Sequence, residues 1–480
     1  MATSPESGTD PLKVGAAELA GCIRTRKFTV IDAIEAHIAR IEAVNPKLNA
    51  MVTPMFGRAR EQAKAADERI AAEGTEGLPP LFGVPITVKD CWPVEGVRFT
   101  AGSWFLRDNV AEADAEIVRR LRDAGAIILG KTNLPDMSWG FETVNPIFGR
   151  TRNPRSLGHS AGGSSGGEAA MIAAGGSPLG FGSDIGGSLR NPAANNGCVS
   201  LKPSTGRVPT DGHVPVVDEA VRGFNVAGPL ARRVEDLALA LSVLTGEPLR
   251  DPPPIAGVPC VVNLRNGPIP VRKEVAETVL LAAGSLKAGG MTVTRNDSLP
   301  LDRLGFIYTA LLRKHALVGV RKDLGGGSEY STIRELLRGA TGKTRISREA
   351  LIVESYIRLG GRLGPLIGED SFERLAKHKA IILEALGAGV LLCPLLLTRP
   401  PRHGATYRPL TQIPYASPFN ATGMPATIVP IRWTENGLPL AVQVVAREGA
   451  DELVLAVAAE LERVFGGWRL AEMESTKEAA

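Results

Sequence analysis

Cysteine is scarce and scattered in this 480-residue chain: Cys22, Cys91, Cys198, Cys260 and Cys393 are odd in number and form no C-x-x-C pair. That argues against a disulfide framework or a cysteine zinc site, and a reducing cytoplasm fits best. Long apolar runs are missing too. The longest, GAGVLLCPLLL from Gly387 to Leu397, is too short to span a bilayer and is broken by Pro394. The N-terminus, MATSPESGTDPLK, has no basic segment followed by an apolar one, so no secretory signal is expected. Neither sign of charge dominates: Lys and Arg number 55 against 51 Asp and Glu, a formal +4 with no basic block. Nucleic acid and anionic membrane surfaces are therefore not expected partners. The metal-binding pattern H-E-x-x-H is absent, and the six histidines read as isolated polar or core positions. No metal and no other cofactor is expected.

What is present describes a folded chain with a substantial core: 44% hydrophobic and 22% charged residues, with 54 glycines and 35 prolines marking many tight turns. Residues 15–72 read as helices. In TVIDAIEAHIARIEAVNP, Ile31, Ile34, Ile38, Ile41 and Val44 recur every three or four positions, with Thr29 or Asp32 as the start and Pro46 as the end. From residue 81 short β-rich runs (GVPITV, AIILG) alternate with helical ones (AEIVRRLRDAG), the texture of an α/β sheet. Residues 158–206 are rich in Gly and Ser yet interleaved with apolar segments, which predicts structured backbone packed closely rather than a linker. A mostly helical, charged stretch follows from about 300 to 385, broken at Gly325-Gly326-Gly327. The chain then returns to α/β with VLLCPLL, ATIVPI and LAVQVVA as strands and DELVLAVAAELERVF as a helix. No internal repeat and no clean linker is visible. The reading is one domain over 1–480, with N-terminal helices (1–75), a catalytic core (76–300), a helical insertion (301–385) and a return to the core (386–480).

Two short motifs match by pattern and fail by context. Gly125 to Thr132, GAIILGKT, fits the phosphate-loop expression, but its interior AIIL is a strand and its lysine is followed by Asn133-Leu134-Pro135 rather than a helix. The G-x-S-x-G match around Gly162–Gly166 lacks the strand that a nucleophile elbow requires, although His213, His315, His378 and His403 lie downstream.

The stretch GHSAGGSSGGEAAMIAAGGSPLGFGSDIGGSLRNPAANNGCVSLKPSTGR (158–207), with GVPITVKD at 83–90, closely resembles the amidase signature family of serine hydrolases. GKTNLPDMSWGFETVNPIFGRTRNP, GPLARRVEDLALAL, SPFNATGMPATIVP and GLPLAVQVVA agree in order, so the resemblance runs from about residue 15 to about 465. It implies the amidase signature fold: a large mixed central β-sheet covered by helices, with a helical insertion over the active-site entrance. It also implies a Ser–Ser–Lys triad whose bridging serine follows a cis peptide. Position by position, the nucleophile falls on Ser188, the bridging serine on Ser164 and the lysine on Lys89, 75 and 24 residues apart along the chain. A serine hydroxyl needs a base, and a lysine can serve only when burial keeps it neutral. Lys89 is read as held between an apolar strand and Asp90. Ile185, Gly186 and Gly187 are assigned to an oxyanion hole, where one donor is typically worth about 2.7–4 kcal/mol. Asp184 and Arg190 support that loop, Arg190 bracing it from behind.

For substrate, the resemblance puts Ser138, Trp139 and Phe141 along the acyl side of the cleft. Trp139 and Phe141 read as an apolar wall or as ordinary core aromatics. The paired Asn195 and Asn196 depart from many relatives, and bear on pocket polarity or on local packing. The implied activity is hydrolysis of carboxylic amide C–N bonds, with anilides, esters and carbamates as further candidates, through an acyl-enzyme on Ser188. The competing reading is the glutaminase component of a bacterial aspartyl/glutamyl-tRNA amidotransferase, which supplies ammonia to a partner. The expected partner is otherwise a small-molecule substrate, with a homodimer left open.

Overall fold

The computed structural model describes residues 10–248, 250–265, 269–341, 344–360, 371–407 and 413–473. The ends of the expected 1–480 domain, and 361–370 within the expected insertion, lie outside the described residues. Eleven strands form one mixed sheet: β1 (Met51–Pro54), β2 (Pro85–Lys89), β3 (Ile127–Thr132), β4 (Leu179–Asp184), β5 (Val199–Lys202), β6 (Val226–Ala231), β7 (Pro259–Val262), β8 (Thr292–Arg295), β9 (Val390–Cys393), β10 (Ala426–Trp433) and β11 (Pro439–Ala446). Their order is β1-β3-β2-β4-β6-β5-β10-β11-β9-β7-β8. β3, β2 and β4 run parallel to one another, as do β9, β7 and β8; the strands between are antiparallel. The α/β class and the mixed sheet follow the expectation.

Helices cover both faces. Glu116–Asp123, Val234–Thr245, Lys273–Ala288 and Asp451–Phe465 pack on one side against Ile86, Val88, Phe181, Val442 and Val444. Val30–Leu48 and Phe56–Glu73 close the other side over Ile127 and Leu129. Thr29, not Asp32, starts the helix Val30–Leu48, and a reciprocal capping box joins the two residues. Pro46 does not end that helix, contrary to expectation. It is exposed in the last turn, and two more residues carry the helix to buried Leu48 before Asn49 (φ +52°) caps it. Asn45 Oδ1 then accepts from Ala50 and Met51 N–H and turns the chain into β1, so 15–72 is not helical throughout.

The Gly/Ser-rich segment is buried almost from end to end. It holds the helix Gly166–Ala173, β4, the helix Arg190–Asn196 and β5. Its glycines permit contacts that no side chain allows: a Cβ on Gly167 would stand 2.5 Å from Asn133 N and O and 2.8 Å from Ala50 O. The break at 325–327 separates helix Leu317–Leu324 from Thr332–Ala340. With Leu301–His315, Arg348–Gly360 and Ser371–Leu386, these make a helical body packed on Met137, Trp139 and Phe419.

Gly167→Ala should therefore be destabilising by about 1–3 kcal/mol, because backbone rather than a flexible side-chain tip must give way. Urea unfolding measures this, and a neutral result would show that the helix Gly166–Ala173 can slide away from Asn133.

Candidate active site

Strand alternation aims the side chains of β2. Ile86 and Val88 enter the core cluster, while Thr87 and Lys89 take the opposite face. There Lys89 Nζ lies 2.7 Å from Ser164 Oγ and 3.0 Å from Ser183 Oγ, fully buried. Ser164 sits between a cis Gly163–Ser164 peptide and Ser165, which precedes the helix Gly166–Ala173. Ser164 and Ser188 line the same cavity, and no hydrogen bond joins their hydroxyls here. Burial lowers the Lys89 pKa below the ordinary 10.5, against the opposing pull of Cys91, Asp184 and Glu168.

Asp90 does not hold Lys89, contrary to the sequence reading. Its carboxylate is committed to Lys131 Nζ at 2.8 Å and to Thr100, all fully buried. The reason is strand parity: Asp90 follows Lys89 directly, so the two side chains diverge. Lys131, the residue of the discarded phosphate-loop match, thus has a structural partner. Glu168, buried and close enough to Lys89 to act on it electrostatically, receives hydroxyl hydrogen bonds from Thr87 and Thr132 and is pushed by burial up to about 7.

The loop Ile185–Gly187 is braced by one ion pair. Arg190 makes a two-pronged contact with Asp184, Nε and Nη2 each at 3.0 Å, and reaches Gln443, Asn420 and the Ala416 carbonyl. Burial alone would raise the Asp184 carboxyl, but Arg190, Asn420 and the Gly187 N–H hold it well below the usual range. Gly187 stands at φ +117°, a conformation side chains rarely adopt. Its N–H is already given to Asp184 Oδ1 at 2.7 Å. Among the described residues, the N–H groups of Ile185, Gly186 and Ser188 have no acceptor. Of the three residues expected to turn donors toward an oxyanion, Gly187 thus has its donor occupied, and Ser188 brings one that the sequence reading did not count.

A narrow cavity opens beside Ser188, between Ser138, Trp139, Phe141, Ile185 and Gly186 on one side and Tyr308, Leu312, Val353, Tyr356 and Ile357 of the helical body on the other. Trp139 and Phe141 therefore meet the cavity as well as the core. Met137 and Ser138 both have positive φ, and the Ser138 hydroxyl is buried without a partner. Tyr308 Oη donates to the Ile185 carbonyl at 2.7 Å and ties the helical body to the loop. Asn195 and Asn196 bond to Asn191, Pro192 and Ala161 and line neither cavity by Ser188, so they serve local packing.

Sequence reasoning missed Ser183, Glu168, Asn420, Gln443 and His213. Ser183, Glu168, Asn420 and Gln443 all lie inside the quoted motifs, but Asn420 and Gln443 are more than 200 residues from Arg190, so nothing local ties them to it. His213 was read as isolated, whereas its ring stands 2.9 Å from Ser183 Oγ. Among the described residues no cluster of three His, Cys, Asp or Glu could hold a metal ion, and no helix is long and apolar enough to cross a membrane.

Comparison with known proteins agrees with this architecture. The Amidase family model matches residues 32–455. Human fatty-acid amide hydrolase 2 is 34% identical over 97% of this chain and 92% of its own length. Among solved structures, a 6-aminohexanoate cyclic dimer hydrolase complexed with substrate superposes with a TM-score of 0.79 at 27% identity, over 97% of this chain and 100% of that one. A glutamyl-tRNA(Gln) amidotransferase component from Thermotoga maritima, TM-score 0.76 over 97% and 99% of the two chains, is 23% identical and shares the fold alone. The chain belongs to the amidase signature family.

Arg190→Met leaves Asp184 buried without its cation, and stability should fall by about 3–5 kcal/mol. Guanidinium unfolding checks this; a loss below about 1 kcal/mol would mean that Asn420 and the backbone donors suffice.

Proposed function

We propose that this protein hydrolyses amides of apolar acyl groups, with Ser188 as nucleophile, Ser164 as relay and Lys89 as base. The observation that carries the reading is the buried 2.7 Å contact between Lys89 Nζ and Ser164 Oγ, at the mouth of a cavity that Ser188 also lines. Lys89 has no carboxylate partner among the described residues, and its lowered pKa favours the neutral amine. The neutral amine takes the Ser188 proton through Ser164 as Ser188 Oγ bonds to the carbonyl carbon. The N–H groups of Ile185, Gly186 and Ser188 receive the developing oxyanion, and Gly187 serves by its backbone shape. The proton then returns through Ser164 to the departing nitrogen, leaving an acyl-enzyme for water to cleave by the same route.

The cavity wall supports an apolar acyl group. Among the described residues lining it beside Ser138, Trp139 and Phe141 there is no Asp, Glu, Lys or Arg. Glutamine, with an α-ammonium and an α-carboxylate, would find no charged partner there, so the glutaminase reading is disfavoured. Anilides, esters and carbamates with the same acyl or alkoxy portion suit the same wall. The five cysteines are buried and, among the described residues, none forms a disulfide, which suits a reducing compartment.

Ser188→Ala should abolish turnover and fluorophosphonate labelling while leaving the melting temperature nearly unchanged; labelling that moves to Ser165 would sink the assignment. A panel of acyl amides and anilides against free glutamine tests the substrate class, and preferential glutamine turnover would reverse it. Because only the neutral amine is a base, kcat/KM should rise with pH through the Lys89 pKa, with its acidic limb below 10.5. Lys89→Ala should harm a matched amide more than its ester, since the amide nitrogen needs a proton to leave; general acid–base help is typically about 10²–10⁴-fold. Equal losses for both substrates would remove the acid role.

A further inference from the structure

The proposed base faces two hydroxyls, and only one arrangement of their protons lets it work. A neutral lysine amine has one lone pair, which must point at Ser164 to take its proton. Ser183 Oγ, 3.0 Å away on the other side, must then accept an N–H rather than donate to that lone pair. A serine hydroxyl can do either, so its third neighbour decides.

That neighbour is His213. Its Nε2 is 2.9 Å from Ser183 Oγ and its Nδ1 is 2.9 Å from the Pro215 carbonyl. A carbonyl oxygen only accepts, so Nδ1 carries the proton; in a neutral imidazole Nε2 is then a lone pair that accepts Ser183 O–H. The ring is buried edge-on to Trp92, with centroids 4.7 Å apart. Burial, and then the nearby Lys89, lower the His213 pKa to about 3, so the ring is neutral wherever Lys89 works. This pair is also approached by the Asn225 amide nitrogen Nδ2, 3.3 Å from Nδ1, and by Cys91 Sγ, 3.7 Å from Ser183 Oγ. Neither displaces the shorter contacts, and with Nδ1 protonated the Asn225 amide must turn its oxygen to the ring.

We infer that His213 is a positioning residue that sets the direction of the hydrogen-bond chain: Ser183 O–H donates to His213 Nε2, Lys89 N–H donates to Ser183 Oγ, and the Lys89 lone pair is left facing Ser164. The inference rests on the Ser188–Ser164–Lys89 reading. It accounts for a histidine within two hydrogen bonds of the base that takes no proton from substrate.

The test combines a double-variant cycle with a direct view of the tautomer. His213→Leu frees Ser183 to compete for the Lys89 lone pair, and kcat for amide hydrolysis should fall about 10-fold or more, a share of the usual acid–base contribution. His213→Gln, whose side-chain oxygen can accept at the same place, should keep most of the activity. In a Ser183→Ala background His213→Leu should add nothing. Losses that multiply in the double variant, or Gln as harmful as Leu, would make His213 a packing residue and overturn the inference. In the unmodified protein, NMR with ¹⁵N-labelled histidine, assigned by the His213→Gln spectrum, should show Nδ1–H and an unprotonated Nε2 between about pH 6 and 9. This arm needs no destabilised variant, and an Nε2–H or doubly protonated ring overturns the inference. Lys89→Ala runs alongside: if it is inactive while the cycle is multiplicative, only the His213 inference fails. If it retains activity, the triad reading fails and takes the inference with it.

Discussion

An amine buried with no carboxylate in salt-bridge contact among the described residues is the constraint around which this molecule is organised. Lys89 is enclosed by the ends of β2 and β4, and the groups in hydrogen-bond reach of its nitrogen are hydroxyls. A buried ammonium with no anion is costly, and the protein meets that cost by favouring the neutral form. The contrast with the next residue is instructive. Asp90, equally buried, is given a full cation in Lys131 and with it joins β2 to β3. Two lysines at equal depth have opposite electrostatic fates because one has a carboxylate at 2.8 Å and the other has serines.

The second buried ion pair has a different task. Asp184 and Arg190 flank the Ile185–Leu189 loop in sequence and close it in space, and Arg190 extends the brace to Gln443 on β11 and to Asn420 in the helix Ile413–Ala421. Rigid backing matters because donors aimed at a developing oxyanion act only if they need not reorganise during the reaction. The same carboxylate that holds Arg190 also occupies the Gly187 N–H, so the brace decides which backbone donors remain for a ligand. Loop shape and donor supply are therefore linked through one aspartate.

The helical body reaches the site by a third route. It supplies an apolar wall through Leu312, Val353 and Ile357, and it fixes the Ile185 carbonyl through Tyr308. A change in these helices thus reaches the backbone beside Ser188 as well as the space next to it. One tyrosine belongs to both the wall and the loop.

Much of this was legible along the chain. Alternating apolar residues fix which face of β2 is core, the 3.6-residue stripe marks the helix Val30–Leu48, and the motifs around Lys89, Ser164 and Ser188 are local in sequence. Local patterns work where neighbours in the chain set the environment. They fail where partners come from afar. Pro46 looked like a stop, yet it stands exposed two residues before the helix ends, and the burial of Leu48 beyond it appears only in the packed molecule. Asp90 looked like the partner of Lys89 because it is adjacent, yet adjacent residues on a strand diverge and Lys131, on the next strand, claims it. His213 looked isolated in a stretch without other motif residues, and only the turn that brings it beside the end of β4 places its ring on Ser183. The sequence by itself determined the family and, through that resemblance, the mixed α/β class, because the motifs that carry it are local runs of residues. Tertiary structure decided which charges pair and which backbone donors stay free, since each depends on distances between segments far apart in the chain.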